Sequence, residues 1–324
     1  MTEMQIDVDL LKEFERGLEP SRPEESKIPA NVLGYGEIST VFEIEEESQK
    51  NLAYKRMPIF KHQEEVDHYE TIYDEYHRIL NDEIGINVPP CGFASFVSDK
   101  GNIVSFDVQE KLPSESFGNK VIHTLNDKDV TTFFTTVLRQ LKRVWDFNKE
   151  SASLEIGIDG QISNWAIRDF DPNSPHIGPQ TQLYYVDTST PFIRKNGQEQ
   201  LDPELFLRSA PSFLRWLIRW LFLEDVMTRY YDFHLVVVDL IANFYKEQRP
   251  DLIPGLIQAA NECFADEAKS LDIAPITPKE IRSYYRQDAL IWTLFLALRR
   301  LDRFIHKRIL HKPYVYILPG KIKR

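Results

Sequence analysis

The sequence feature that most constrains the fold is a change of periodicity near Pro113. From residue 28 to this point, short β-branched and aromatic runs alternate with turns, as in "NVLGYGEISTVFEI" and "NLAYKRMPI". The exception is "EEVDHYETIYDEYHRIL", whose apolar residues recur at intervals of three and four residues. This spacing predicts a helix. After Pro113, helical spacing predominates. The sequence therefore predicts an α+β protein with a small β-rich part containing one helix, followed by a larger and mainly helical part.

This change of periodicity predicts three regions. Residues 1–27 are expected to form a short amphipathic helix and a polar linker. Residues 28–112 are expected to form the β-rich part, and residues 113–324 the helical part. A chain of 324 residues is long enough to bury a large core in either one domain or two lobes.

Charge and composition exclude several classes of function. The formal net charge of −11 argues against nonspecific binding to nucleic acid or to an anionic membrane, although it leaves room for a local basic patch. Cys91 and Cys263 give neither a disulfide framework nor a paired metal motif. The acidic N-terminus lacks the regions of a signal peptide, and charges such as Asp239 interrupt the most apolar runs. We therefore expect a cytoplasmic protein with no membrane and no nucleic-acid partner.

The stretch "GYGEISTV" places Gly34 and Gly36 between two predicted strands, with Ser39 and Val41 after them. Two interpretations are open. The glycines can form a simple hairpin turn, or they can let backbone amides lie close to the phosphates of a nucleotide. The phosphate interpretation requires a lysine and carboxylates further along the chain.

The next predicted strand supplies Ala53 and Lys55, and its lysine can direct an ammonium group at phosphates under the loop. Such a lysine needs a carboxylate to hold it, and the following helix offers Glu75, which is preferred by spacing. The alternative is that Lys55 and Glu75 are ordinary surface residues.

Two further segments carry polar residues suited to phosphoryl transfer. "DGQISN" contains Asp159, which can accept the proton of an attacking hydroxyl, and Asn164, which can bind Mg²⁺. Asp187 ends the short β-like run "LYYVD" and can bridge Mg²⁺ to phosphates. The alternatives are a turn for the first segment and an Asx-turn for the second.

The order of these parts resembles the protein-kinase-like fold, which includes protein kinases and aminoglycoside and choline phosphotransferases. The resemblance covers residues 31–187 and implies a two-lobed fold that binds ATP and Mg²⁺. It implies catalytic roles for Asp159, Lys55 and Glu75, and metal binding by Asn164 and Asp187. It also implies nucleotide contacts from the loop, the third strand and the hinge segment "FDVQEKLP": Gly34, Gly36, Ser39, Val41, Ala53, Lys55, Gln109, Glu110 and Leu112.

The sequence departs from that family's pattern in several places. Gly157 and Ile158 replace the usual His-Arg or His-Gly before the catalytic aspartate, and Asp187 is followed by Thr188 and Ser189 rather than by Phe-Gly. Asn164 and Asp187 are separated by an unusually long insertion. These departures affect the residues that position the loop of Asp159 more than the residues that react, because Asp159, Asn164 and Asp187 are all present.

The expected function is therefore transfer of the γ-phosphate from ATP to a hydroxyl acceptor. The absence of an Ala-Pro-Glu segment favours a small-molecule acceptor slightly over a protein, and a protein partner stays open. The alternatives are a nucleotide-binding pseudokinase scaffold and transfer of AMP on the same fold. A nonkinase α+β binding protein is a weaker possibility.

Overall fold

The computed structural model describes residues 4–20, 22–35, 39–178, 180–208, 228–311, 314 and 317–318. The β-rich part contains a five-stranded antiparallel sheet with the order β1-β2-β3-β5-β4. Its strands are β1 Ala30–Tyr35, β2 Thr40–Ile44, β3 Leu52–Met57, β4 Cys91–Val97 and β5 Ile103–Glu110. The two strands flanking "GYGEIS", the third strand and the hairpin at Gly101 were all expected from the sequence. Gly101 has the positive φ that its turn requires.

Both faces of this sheet are covered by helices. Helix α2, Gln63–Arg78, begins with a capping box between His62 and Glu65 and packs its aromatic side on one face. Helix α1, Val8–Gly17, packs on the other face through Leu11 and Phe14. The helix expected in residues 1–27 therefore forms part of the sheet's core, although the sequence assigned those residues to a separate region.

The helical part is built around α4, Asp127–Glu150, which packs against α7, Ile253–Ala265, and α6, Phe233–Lys246. Helix α8, Pro278–Phe304, packs against α6 and starts at the capping box of Thr277 and Glu280 that the sequence predicted. The shorter described helices are α3 Gly118–Thr124 and α5 Glu204–Leu207. No helix in the described ranges is both long enough and apolar enough to cross a bilayer.

Five short strands shape the loops of the helical part. Strands β6 Leu154–Ile156, β9 Ile193–Lys195 and β10 Gln198–Glu199 form one small sheet. Strands β7 Trp165–Ile167 and β8 Leu183–Tyr185 form a hairpin. The long insertion noted in the sequence is the loop of this hairpin. It therefore lengthens the chain between Asn164 and Asp187 without separating them in space.

Candidate active site

A row of residues crosses the sheet and includes several predicted site residues. Gly34 pairs with Val41, Val41 pairs with Lys55, and Lys55 pairs with Asp107. Residues directly opposite in antiparallel strands project their side chains to the same face. Ala53 lies on this face too, because it is two residues before Lys55. The sheet thus places Val41, Ala53 and Lys55 on a common surface next to Gly34.

The described residues leave open space beside Gly34. A Cβ atom on Gly34 would meet no atom within 4 Å, so packing within the described chain does not require glycine there. Ser39 is buried, and its hydroxyl has no hydrogen-bond partner among the described residues. Alternation along β2 puts Ser39 on the same face as Val41. Gly36 lies outside the described residues.

Lys55 reaches across to the helical part. Its Nζ donates to Asp187 Oδ1 at 2.7 Å, and these two residues are 132 positions apart in the sequence. The two side chains are 22% and 29% exposed, so the pair faces an opening to solvent. This contact joins β3 of the sheet to the residues that follow β8. It brings two residues identified separately in the sequence into one site.

Asp159 and Asn164 belong to the same site. The Asn164 side chain donates from Nδ2 to the Asp159 carbonyl oxygen at 3.3 Å, and its backbone oxygen accepts from Val186 N at 2.9 Å. Burial raises the pKa of Asp159, and the nearby carboxylates of Asp239 and Asp187 raise it further. The residues that sequence reasoning assigned to proton and metal work are therefore neighbours.

A polar cluster behind Asp159 was not recognised from the sequence. Gln161 donates from Nε2 to Asp239 Oδ2 at 3.2 Å, and its Oε1 accepts from Asn243 Nδ2 at 3.1 Å. Burial raises the pKa of Asp239, and Arg229 opposes that rise. The available sequence signal was a lone aspartate inside the apolar run "FHLVVVDLIANF" of α6. Gln161 links this cluster to Asp159, because its backbone N–H donates to Asp159 Oδ1 at 3.1 Å.

The expected pairing of Lys55 with Glu75 is replaced by two other pairs. Glu75 Oε2 accepts from Lys195 Nζ at 2.7 Å, while Lys55 is bound to Asp187. Spacing along the chain selected Glu75 as the carboxylate for Lys55. It could not reveal that Lys195, on a strand 120 positions away, would bind it. Glu75 therefore connects α2 to the helical part.

The proposed hinge also differs from the expectation. The backbone N–H of Glu110 donates to Pro90 O at 2.9 Å, and that of Lys111 donates to Asn51 O at 2.8 Å. The Gln109 side chain donates to Val186 O and Thr188 Oγ1, on either side of Asp187. The backbone N–H of Glu110, one of the predicted adenine contacts, is therefore already used within the protein, while the contacts predicted for Gln109 and Leu112 stay predictions.

Asp107 and Tyr69 complete the site and were missed in the sequence. Asp107 is only 2% exposed and lies directly opposite Lys55 on the neighbouring strand. Tyr69 on α2 donates its hydroxyl to Asp107 Oδ2 at 3.0 Å and also lies 2.9 Å from Ser189 O. Burial raises the pKa of Asp107 to about 7, and the Lys55 charge opposes this rise. The sequence signal was an aspartate between the buried Phe106 and Val108.

The donor atoms fit Mg²⁺ bound together with a nucleotide. Asn164 Nδ2 donates within the loop, so Oδ1 is the side-chain atom of Asn164 that could ligate a metal together with the Asp187 carboxylate. One carboxylate, one amide oxygen and phosphate oxygens form a suitable set for Mg²⁺. Within the described ranges, no cluster of three or more His, Cys, Asp or Glu is placed to hold a metal ion by itself.

A separate cavity of about 620 Å³ lies along the hairpin loop of the insertion. Arg168, Asp169, Asp171 and His176 are among its lining residues, whereas Lys55, Asp159 and Asp187 are not. Arg168 and Asp169 thus line this cavity and not the site of Lys55.

Comparisons with known proteins give a family and distant structural likenesses. A family model described as "Family of unknown function (DUF6206)" matches residues 21–303. No curated protein matches the chain.

Similar solved structures include WaaP in complex with acyl carrier protein, at 15% identity and a TM-score of 0.31, covering 71% of this chain and 89% of that one. They also include the GDP complex of aminoglycoside 2'-phosphotransferase-IIIa, at 12% identity and a TM-score of 0.33, covering 81% and 100%. A third is a putative aminoglycoside phosphotransferase from Ralstonia eutropha JMP134, at 12% identity and a TM-score of 0.26, covering 79% and 99%.

Proposed function

The chain belongs to the DUF6206 family of proteins of unknown function, and we propose that it is a phosphotransferase that uses ATP and Mg²⁺. The γ-phosphate would pass to a hydroxyl group of an acceptor, with a small molecule slightly favoured. The observation that carries the proposal is the 2.7 Å contact between Lys55 Nζ and Asp187 Oδ1. It joins a cation that could bind phosphate to a carboxylate that could bind a metal, and a Cβ atom on nearby Gly34 would meet no atom within 4 Å.

Each residue of the site has a role that its position supports. Lys55 would bind phosphate oxygens of the nucleotide, and the residues around Gly34 would cover them. Asn164 and Asp187 would hold Mg²⁺, which neutralises charge on the phosphates. Asp159 would orient the acceptor hydroxyl and take its proton.

Asp107 is the carboxylate that can hold Lys55 once Asp187 binds metal. Facing residues on adjacent antiparallel strands have Cβ atoms about 5 Å apart, so the lysine can exchange one carboxylate for the other with a small movement. This assigns to Asp107, with Tyr69 bound to it, the positioning role that was expected of Glu75.

A second candidate is a nucleotide-binding scaffold without transfer activity. Two observations favour it: Glu75 binds Lys195, and the backbone N–H groups of Glu110 and Lys111 are bound within the protein. Transfer of AMP by the same residues is a third candidate. The three differ in their products, so measuring both binding and products separates them.

The first experiment measures the thermal unfolding midpoint with and without Mg·ATP. A ligand at about 100 times its dissociation constant stabilises the folded state by about 2.7 kcal/mol, which raises the midpoint by a few degrees. In Lys55→Ala the midpoint should not rise with Mg·ATP. In Asp187→Asn any rise with ATP should no longer depend on Mg²⁺. Glu75→Gln should keep the rise with Mg·ATP, because Glu75 binds Lys195 and serves as the matched control. If the midpoint does not rise with any nucleotide, the proposal is wrong.

The product test uses Asp159→Asn. This variant should keep the rise with Mg·ATP and lose transfer to acceptors, which are screened by mass spectrometry for a gain of phosphate or of AMP. Nucleotide binding with no product from the wild-type protein across hydroxyl-bearing acceptors would favour the scaffold.

A further inference from the structure

One side of α8 exposes apolar side chains to solvent. Leu290 is 70% exposed, Leu301 45% and Phe304 56%, and the spacing of these residues by three, four or seven places them along one side of the helix together with Leu294. Exposed basic residues follow towards both ends: Lys279, Arg282 and Arg286 lie in the first turns of α8, and Lys307 and Arg308 lie in the π-helical turn Ile305–Ile309 that follows Phe304. We call this surface the α8 outer face; it comprises these five basic residues together with Leu290, Leu294, Leu301 and Phe304.

The α8 outer face carries no exposed carboxylate. The acidic residues between positions 278 and 310 are Glu280, Asp288 and Asp302, and none of them is exposed. Glu280 contacts His234 Nε2 at 2.7 Å, and Asp302 is buried, with its Oδ1 3.3 Å from His306 Nδ1. The basic residues of the outer face are therefore not matched by nearby acids on the same face.

The charge of the chain is divided unevenly. The whole chain has a formal net charge of −11, yet from residue 290 to the end it has nine lysines and arginines against one aspartate. The overall charge, which argues against an anionic partner, therefore conceals a strongly basic C-terminal segment, of which Lys307 and Arg308 belong to the α8 outer face.

We propose that the α8 outer face docks on an anionic lipid bilayer. An amphipathic helix with an apolar stripe and basic residues beside it lies in the plane of the interface, where its apolar side chains enter the boundary of the acyl chains and its cations meet lipid phosphates. The apolar stripe occupies the middle of the face and the cations its two ends, so both contributions act at once.

Other occupants fit this surface less well. A second copy of the same face would bring basic ends against basic ends, whether the two helices ran parallel or antiparallel, and like charges oppose that contact. Nucleic acid would satisfy the cations but would leave four exposed leucine and phenylalanine side chains without apolar contact. Of these three occupants, the lipid surface matches both the charges and the apolar stripe.

The test is sedimentation of the full chain with vesicles. The protein should bind vesicles of phosphatidylcholine mixed with phosphatidylglycerol, bind pure phosphatidylcholine vesicles much less, and dissociate as salt rises from about 0.1 M to about 0.5 M. Each basic side chain near an anionic surface changes partitioning about fivefold. The combined variant Arg282→Gln, Arg286→Gln, Lys307→Gln and Arg308→Gln should therefore bind at least about 100-fold more weakly.

Two further variants separate lipid insertion from charge attraction. Leu301→Gln with Phe304→Gln should weaken binding about tenfold or more, because the apolar contact is lost. A matched control neutralises four exposed lysines elsewhere, Lys61, Lys100, Lys128 and Lys269, and should bind as the wild type does. Substitutions at exposed positions change stability little, and a thermal unfolding midpoint close to that of the wild type checks this.

Three outcomes would overturn the proposal. The first is an absence of wild-type binding to anionic vesicles at low salt. The second is equal loss of binding in the control variant, which would make the attraction nonspecific. The third is a dimer without lipid that Phe304→Gln dissociates, which would assign the face to a second copy. This test does not involve nucleotide or the residues of the candidate active site.

Discussion

Asp107 shows how one buried residue changes the interpretation of a site. It lies in the middle of β5, on the face that carries Lys55, and has Tyr69 as its hydrogen-bond donor. A carboxylate removed from water holds its proton more strongly unless a cation compensates. Lys55 compensates only in part, because its ammonium group is bound to Asp187.

The raised pKa of Asp107 predicts a pH-dependent stability. Its folded-state pKa of about 7 lies above the ordinary 3.8. Between these values the folded protein holds a proton that the unfolded chain has released, so this residue lowers the stability as pH rises through the window. From pH 5.5 to pH 8, the free energy of unfolding of the wild type should therefore fall by about 2 kcal/mol more than that of Asp107→Asn.

Urea unfolding of the ligand-free protein at the two pH values measures this difference. Asp82→Asn, at an exposed position, is the matched control and should follow the wild type. Parallel curves for the wild type and Asp107→Asn would contradict the prediction.

At the scale of elements, α1 is the part whose importance the sequence understated. Phe14 is fully buried and meets Phe42 and Phe106 edge to face, at centroid distances of 5.7 and 6.5 Å. The Glu15 carboxylate accepts two hydrogen bonds of 2.7 Å from Arg56 on β3. The helix therefore closes the sheet face opposite to α2.

Truncating Phe14 tests this packing. Phe14→Ala should lower the free energy of unfolding by about 3–5 kcal/mol, because it removes apolar contacts and leaves a cavity. Chemical denaturation measures the change, with the half-exposed Leu33→Ala on β1 as a control of small effect. A loss below about 1 kcal/mol would mean that α1 does not stabilise the sheet.

Helix α2 is fixed to the segment around β9, β10 and α5 at three points. Glu65 accepts from Arg208, His68 contacts Gln200 O at 2.8 Å, and Glu75 accepts from Lys195. The helix therefore cannot shift without changing its contacts with the helical part. This position puts Tyr69 beside both Asp107 and Ser189, two residues after Asp187.

At the scale of the whole molecule, the candidate site depends on both parts of the chain. Lys55 and the glycine loop belong to the sheet, while Asp159, Asn164 and Asp187 belong to the helical part. Mg·ATP should therefore slow amide hydrogen exchange in β1–β3 and in residues 159–187 together, because a bound ligand suppresses the opening of both.

Hydrogen exchange with mass detection measures this protection, and Lys55→Ala should abolish it in both regions at once. Protection confined to one region, or protection that survives in Lys55→Ala, would show that the nucleotide binds elsewhere.

The sequence by itself determined the order of strands and helices, and the residue types of the site. Periodicity and turn chemistry are local, so "NLAYKRMPI", the hairpin at Gly101 and the capping box at Thr277 could be identified from adjacent residues. Lys55, Asp159, Asn164 and Asp187 were selected as one set because their order along the chain resembles that of the protein-kinase-like fold, and their roles remain predictions. The regions divided at residues 27 and 112 remain predictions.

Only the tertiary structure decided which charged groups meet. Lys55 binds Asp187 and Glu75 binds Lys195 because β9 and the end of β8 are brought to α2 and β3 from more than 100 positions away. Ion pairs and burial depend on distances in space, which local spacing does not encode. Asp107 and the α8 outer face show the same limit. Whether an aspartate or a leucine is buried or exposed depends on tertiary packing, and its role depends on that burial.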